Sequence, residues 1–296
     1  MNREDPGTGK EGTDRIMRDR RPRHGYSVFR IAAVLVTAAS LLCACSKEAR
    51  MERELRTFAL DLMEDGAYGA AIAKFDEALS KSGGRIGTLE VDILKYRAEC
   101  EMAAGEYDAA EYTYRLLEEN DRKKNDYTDL RAICLARGTG DVQEALKLYR
   151  KSQESETASG TPVHREALYA LGERLSAGSS GQDTETVKEL YRAALEDERM
   201  RTGELYNRMA MLVHGESLEE AIEWFEKGLE YIRESGNAEA ENETRKAILF
   251  NLGVCYEENG RYEKALTQFR EYEESFGSTE ASAHEIRFLE GILSER

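Results

Sequence analysis

Proline, tryptophan and histidine are scarce in this sequence, with three, one and four copies among 296 residues. Proline interrupts helices, so its scarcity leaves room for many helical segments. The five cysteines are too few and too irregularly spaced for a zinc ribbon, a redox pair or a disulfide scaffold. They are Cys43, Cys45, Cys100, Cys134 and Cys255. No apolar run reaches the ~20 residues that a membrane-spanning helix needs.

Sequence motifs of catalysis are missing as well. The four histidines form no His-Glu-x-x-His pair, and the chain has neither a phosphate-binding glycine loop nor a Gly-x-Ser-x-Gly elbow. Catalysis requires a desolvated acid or base beside a positioned partner, and the sequence indicates none. We therefore predict that the chain is not an enzyme and binds no metal or cofactor.

Charge is abundant and mostly negative, with 58 acidic against 42 basic residues and a formal net charge of −16. Residues 1–44 hold eight of the basic and five of the acidic residues, so the remainder carries −19. Such a surface repels nucleic acid, which argues against a nucleic-acid partner.

The N-terminal segment has the pattern of an export signal. Four arginines, at 18, 20, 21 and 23, precede the apolar run 31–42, and small residues follow. This run is shorter than a membrane span, and a positive flank before a short apolar segment is typical of a signal peptide. The residues before these arginines are mixed in charge, which makes Met17 an alternative start.

The sequence Leu42-Cys43-Ala44-Cys45 resembles the lipobox of bacterial lipoproteins. The resemblance implies that 1–44 is removed and that Cys45, carrying palmitate or a similar acyl chain, anchors the protein to the membrane. Cys43 fits less well, because Leu41 and Leu42 would then occupy places that take small side chains. The expected location is the outer face of the plasma membrane, or the outer membrane in a Gram-negative cell. A short anchor segment, 45–51, precedes the first helical pattern.

A helical pattern recurs from Glu52 onward. In its clearest copy, Leu249, Leu252, Gly253 and Tyr256 share one helical face, and Asn259-Gly260 interrupts the helix. A second helix then carries the apolar residues Tyr262, Ala265, Leu266 and Phe269. This unit resembles the tetratricopeptide repeat, a helix–turn–helix of about 34 residues.

Five earlier copies keep the same order, and each has a small residue at the place of Ala265. These residues are Ala71, Ala110, Ala145, Val187 and Ala221. The resemblance implies an all-α fold: a right-handed superhelical solenoid of about six repeats over 52–277. Ser278 or Thr279 is expected to begin a capping helix within 278–296, because a stack of repeats leaves an apolar end face.

The first helix of each repeat is expected to line a concave groove for a protein or peptide. The residues expected to face that groove are Arg56, Lys95, Arg131, Tyr169, Asn207 and Phe250. The three cations would favour a carboxylate or an acidic peptide; alternatively, they neutralise nearby acidic residues. The next inward row, Leu60, Glu99 and Leu135, lacks the amides of the family's carboxylate clamp.

The sequence therefore predicts a protein interaction scaffold in the bacterial cell envelope. A narrower alternative is an assembly factor for an outer-membrane or envelope complex. A third hypothesis, from a different functional class, is a ligand-binding or enzymatic lipoprotein. The scaffold and assembly-factor hypotheses differ in the partner, which the sequence does not identify.

Overall fold

The computed structural model describes residues 47–123, 126–155, 158, 160–178, 181–236 and 239–295. Within these ranges the regular structure is entirely α-helical, and strands are absent. No helix in the described part is long and apolar enough to cross a membrane. Residues 1–46, which include the predicted signal peptide, Met17 and Cys45, lie outside the described residues.

Thirteen helices form six antiparallel pairs and a terminal helix in the described part of the chain. The pairs are α1 (47–64) with α2 (Tyr68–Lys81), α3 (Thr88–Ala104) with α4 (Tyr107–Asn120), α5 (Tyr127–Arg137) with α6 (Val142–Gln153), α7 (Pro162–Ser176) with α8 (Gly181–Glu196), α9 (Gly203–His214) with α10 (Leu218–Ser235), and α11 (Asn242–Glu258) with α12 (Tyr262–Phe276). The last helix is α13 (Glu280–Ser294). The predicted all-helical solenoid of about six repeats is confirmed.

Helix α1 is already helical at residue 47, five residues before the pattern detected at Glu52. Its first turn is polar, and a search for apolar periodicity does not register a polar turn. Helix propensity and an ion pair between Arg50 and Glu54, four residues apart, support it instead.

The turns within several repeats depend on glycine. Gly66, Gly105 and Gly260 have φ of 73°, 76° and 72° between the two helices of their pairs. This left-handed conformation is strained for residues with a side chain, so glycine ends the first helix and allows the chain to reverse.

Close packing within a pair depends on glycine in two repeats. A Cβ on Gly253 would lie 2.8 Å from the Phe269 ring, and one on Gly172 would lie 2.7 Å from Cζ of Tyr191. The aromatic ring of the second helix therefore occupies the space that a side chain on the first helix would need. Gly253 thus allows α11 and α12 to approach closely.

The apolar core follows the chain order. Extensive contacts join α2–α13 only to the next helix or the next but one. Buried apolar residues fall into three clusters, which lie in α1–α3, in α3–α5 and from α5 to the C-terminus. Each repeat is thus stabilised mainly by its neighbours, as in other repeat proteins.

The terminal helix α13 closes the stack. Thr279 caps it: the Thr279 hydroxyl accepts a hydrogen bond from the backbone N–H of Ser282. Leu289 is fully buried against the last repeat, whereas Phe288, on the other side of the helix, is 47% exposed. One face of α13 therefore covers the apolar end of the solenoid.

Candidate binding groove

The six residues predicted to face the groove occupy corresponding places on α1, α3, α5, α7, α9 and α11, and all six are half-buried. Extensive first-helix contacts join α5 to α7 and α9 to α11. By contrast, α3 and α5 share no extensive contact, nor do α7 and α9. An opening lies between α7 and α9, whereas α3 and α5 meet through Met102 and Cys134, whose sulfur atoms are 3.2 Å apart.

Two of the three predicted cations are paired with aspartates. Arg56 donates to Asp92 at 2.5 Å, which links α1 to α3. The Lys95 ammonium lies 2.7 Å from Asp121, just beyond the end of α4. The hydrogen bond from Lys95, with one from the backbone N–H of Lys123, holds the pKa of Asp121 well below its usual range. Both cations thus join neighbouring elements.

Arg131 is the most enclosed of the three cations. Its side chain is 13% exposed and lies 2.9 Å from Glu111 and 2.5 Å from Glu118, both on α4. Lys151 of α6 also reaches Glu118, at 3.1 Å. Arg131 therefore fastens α5 to α4, in line with the alternative that these cations neutralise nearby carboxylates.

Two of the three remaining predicted residues make contacts between repeats, and Phe250 packs within its own repeat. The Tyr169 hydroxyl lies 2.7 Å from that of Thr202, before α9. Asn251 of α11 donates to Asn207 of α9 at 3.5 Å. Phe250 meets the Phe269 ring edge-on, with centroids 5.4 Å apart. Ligand binding by any of the six residues stays a prediction.

One turn further along the first helices runs a second row of residues. Its members are Leu60, Glu99, Leu135, Glu173, Met211 and Val254. Glu99 is exposed and makes no hydrogen bond or ion pair with any described residue. Burial among neighbouring atoms nevertheless raises its pKa, as expected for a carboxyl group within a concavity. Met211 is 51% exposed, unusually high for a large apolar side chain.

The opening between α7 and α9 forms a cleft of about 290 Å³. Gly172 and Tyr191 lie in its wall, and Met211 and Asn207 line the α9 side. Sequence reasoning identified Asn207 but missed Glu173 and Met211. The sequence did contain a signal for these two residues. Like Glu99, each follows the first core residue of its helix by five positions.

The described residues contain no group of three or more His, Cys, Asp or Glu side chains arranged to hold a metal ion. Cys100, Cys134 and Cys255 are buried free thiols. Burial raises the pKa of Cys100 to about 11 and those of Cys134 and Cys255 to about 12. A thiol with so high a pKa is a poor nucleophile at neutral pH.

Sequence comparison identifies repeats in two parts of the chain. Models described as "Tetratricopeptide repeat" match residues 62–134 and 236–279. The first match runs from the end of α1 into α5, and the second covers α11 and α12. No curated protein matches the chain.

Solved structures are similar to this chain at low sequence identity. The C-terminal part of a TPR repeat-containing protein from Cytophaga hutchinsonii is 14% identical with a TM-score of 0.54, over 87% of this chain and 99% of that one. A tetratricopeptide repeat protein from Parabacteroides merdae is 16% identical with a TM-score of 0.44, over 81% and 99%. Residues 62–134 and 236–279 of this chain are therefore tetratricopeptide repeats within an all-helical solenoid.

Proposed function

We propose that this chain is an exported, lipid-anchored scaffold that binds a partner protein on the concave face of its repeats. Tetratricopeptide repeats are typical of non-enzymatic proteins that bind other proteins or peptides. The observation that carries the proposal for this chain is the second row of groove residues: exposed Met211 lines the cleft between α7 and α9, and exposed Glu99 has no ion pair with the described residues.

Exposed apolar side chains within a concavity are typical of recognition surfaces. Met211 is suited to this role, because its flexible thioether adapts to differently shaped partners. The cleft of about 290 Å³ beside it gives a partner side chain room to enter. Shape and residue type together support the concave face as the binding surface.

Capture of partners from the cell's own membranes tests this proposal. Met211→Glu places a charge on the concave face, whereas Tyr112→Glu does so on α4, a second helix, at nearly equal exposure of 52%. We expect Met211→Glu to reduce recovery of specific partners and Tyr112→Glu to leave it unchanged. Equal recovery with both variants contradicts the proposal.

The anchor is tested separately. We expect metabolic labelling with radioactive palmitate to mark the wild-type protein and the Cys43→Ser variant, but not Cys45→Ser. A covalently attached acyl chain contributes ~0.8 kcal/mol per buried CH₂, so Cys45→Ser should also move the protein into the soluble fraction. Labelled Cys45→Ser contradicts the assignment of Cys45.

A further inference from the structure

At one place in the groove, a carboxylate is already paired with an arginine of the same chain. On α9, Arg208 lies 2.9 Å from the Glu173 carboxylate of α7. The Arg208 guanidinium also lies over the Tyr169 ring, 4.6 Å from its centroid. Arg208 thereby pairs with Glu173 across the opening between α7 and α9, while its Nε also lies 2.6 Å from Glu204 on its own helix.

The same carboxylate occurs two repeats earlier. Glu99 follows Leu94 by five residues on α3, as Glu173 follows Leu168 on α7. The second helix of each pair carries a buried tyrosine at the same place: Tyr114 follows Ala110 by four residues, as Tyr191 follows Val187. The two sites share a first-helix glutamate and a second-helix tyrosine.

The site at Glu99 lacks the cation that pairs with Glu173. In register, the residue of α5 that corresponds to Arg208 is Ala132, a fully buried small residue. Glu99 is exposed at this place, and no described residue forms an ion pair with it. The nearby groove cations are already bound, Lys95 to Asp121 and Arg131 to Glu111 and Glu118.

The residues that occupy the places next to Glu99 in the second row are aliphatic. In the second row, Leu60 of α1 and Leu135 of α5 occupy the corresponding places on either side, and both are half-buried. A partially desolvated carboxylate between aliphatic side chains attracts a cation more strongly than one in open water. A bound guanidinium would also recover hydrogen bonds that Glu99 otherwise lacks.

We propose that Glu99 receives a basic side chain, an arginine by analogy with Arg208, from a partner segment whose flanking residues are apolar and contact Leu60 and Leu135. The inference rests on the proposed function, since it concerns the same groove. This inference predicts a basic partner segment, whereas the cations Arg56, Lys95 and Arg131 by themselves suggest an acidic one.

The test is selection of random dodecapeptides displayed on phage, performed against the full chain and two variants. Glu99→Gln removes the charge at nearly constant size. Glu119→Gln is the matched control, because Glu119 is exposed on α4 of the same repeat and has no ion pair with the described residues. Selected peptides are synthesised, and their affinity for each protein is measured at low and high salt.

We expect peptides selected on the wild-type chain to share an arginine or lysine between apolar residues. Their affinity should fall at least about fivefold in Glu99→Gln and with added salt, and remain unchanged in Glu119→Gln. Enrichment of acidic peptides, no enrichment, or equal affinity for wild type and Glu99→Gln overturns the inference. Acidic peptides that lose affinity in Met211→Glu would still support the proposed function. Failure of the Glu99 inference can therefore be distinguished from failure of the proposed function.

Discussion

Asp129 accepts hydrogen bonds within a buried junction of three helices: one carboxylate oxygen lies 3.0 Å from Nδ1 of His164, and the other accepts from the Ser152 hydroxyl at 2.7 Å. These residues belong to α5, α7 and α6, and the His164 ring stacks on Tyr149 with centroids 4.5 Å apart. The network joins the third and fourth repeats. It contains a carboxylate and an imidazole, yet Ser152 contacts Asp129 and not His164, so it lacks the order of a nucleophilic triad.

We expect Asp129→Ala to destabilise the protein by about 2–4 kcal/mol, because it leaves Ser152 and His164 buried without their partner. Thermal or denaturant unfolding measures the loss. Asp65→Ala, at an exposed position, should have little effect. The double variant Asp129→Ala with His164→Ala should lose less than the sum of the single losses. Additive losses would show that the two side chains do not act together.

Gly172 is expected to tolerate no side chain. Gly172→Ala places a methyl group against the Tyr191 ring and should cost about 1–3 kcal/mol in unfolding free energy. Gly215→Ala is the control: Gly215 has φ of −70° and no atom within 4 Å of the added carbon. Its stability should change little or rise slightly. Equal stability of the two variants would contradict the packing described for Gly172 and Tyr191.

The sequence predicted the architecture because apolar spacing and turn glycines repeat locally. Repeat number, the turn at Gly260 and the cap at Thr279 follow from residues near one another in the chain. The groove contacts did not follow, since Arg131 meets Glu111 and Glu118 only once α4 and α5 are placed side by side. Likewise, Asp129, Ser152 and His164 lie on three separate helices, and no sequence motif marks them.

A buried carboxylate near the start of the fold makes stability depend on pH. Glu52 is 3% exposed, and burial together with repulsion from Glu90 raises its pKa. The folded state thus favours protonated Glu52: this stabilisation is present below the ordinary carboxyl pKa and is lost as pH rises through the raised value. Glu52→Gln should therefore increase stability at pH ~7 by about 1 kcal/mol and give no gain at pH ~4.

Unfolding at both pH values checks this expectation. The control is Glu64→Gln, an exposed position on the same helix, which should be neutral at both. A gain for Glu52→Gln that persists undiminished in acid would contradict the proposed cause.

Substitution of Arg131 is expected to change the stability of the fold, whatever its effect on partner binding. Arg131→Glu adds a third carboxylate beside Glu111 and Glu118 and removes the cation that pairs them, so we expect a loss of about 3 kcal/mol or more. The double variant Arg56→Glu with Arg131→Glu also breaks the ion pair between Arg56 and Asp92 and should lose at least as much stability. Circular dichroism with temperature measures it, and a stable Arg131→Glu would contradict it.

Site-specific photocrosslinking in living cells tests the central claim, that partners occupy the concave face, most directly. A benzophenone amino acid replaces Met211 in one strain and Tyr112 in another; the two positions are 51% and 52% exposed. We expect light-dependent adducts with a partner protein from position 211 and none from position 112. Adducts from 112 alone would contradict the account.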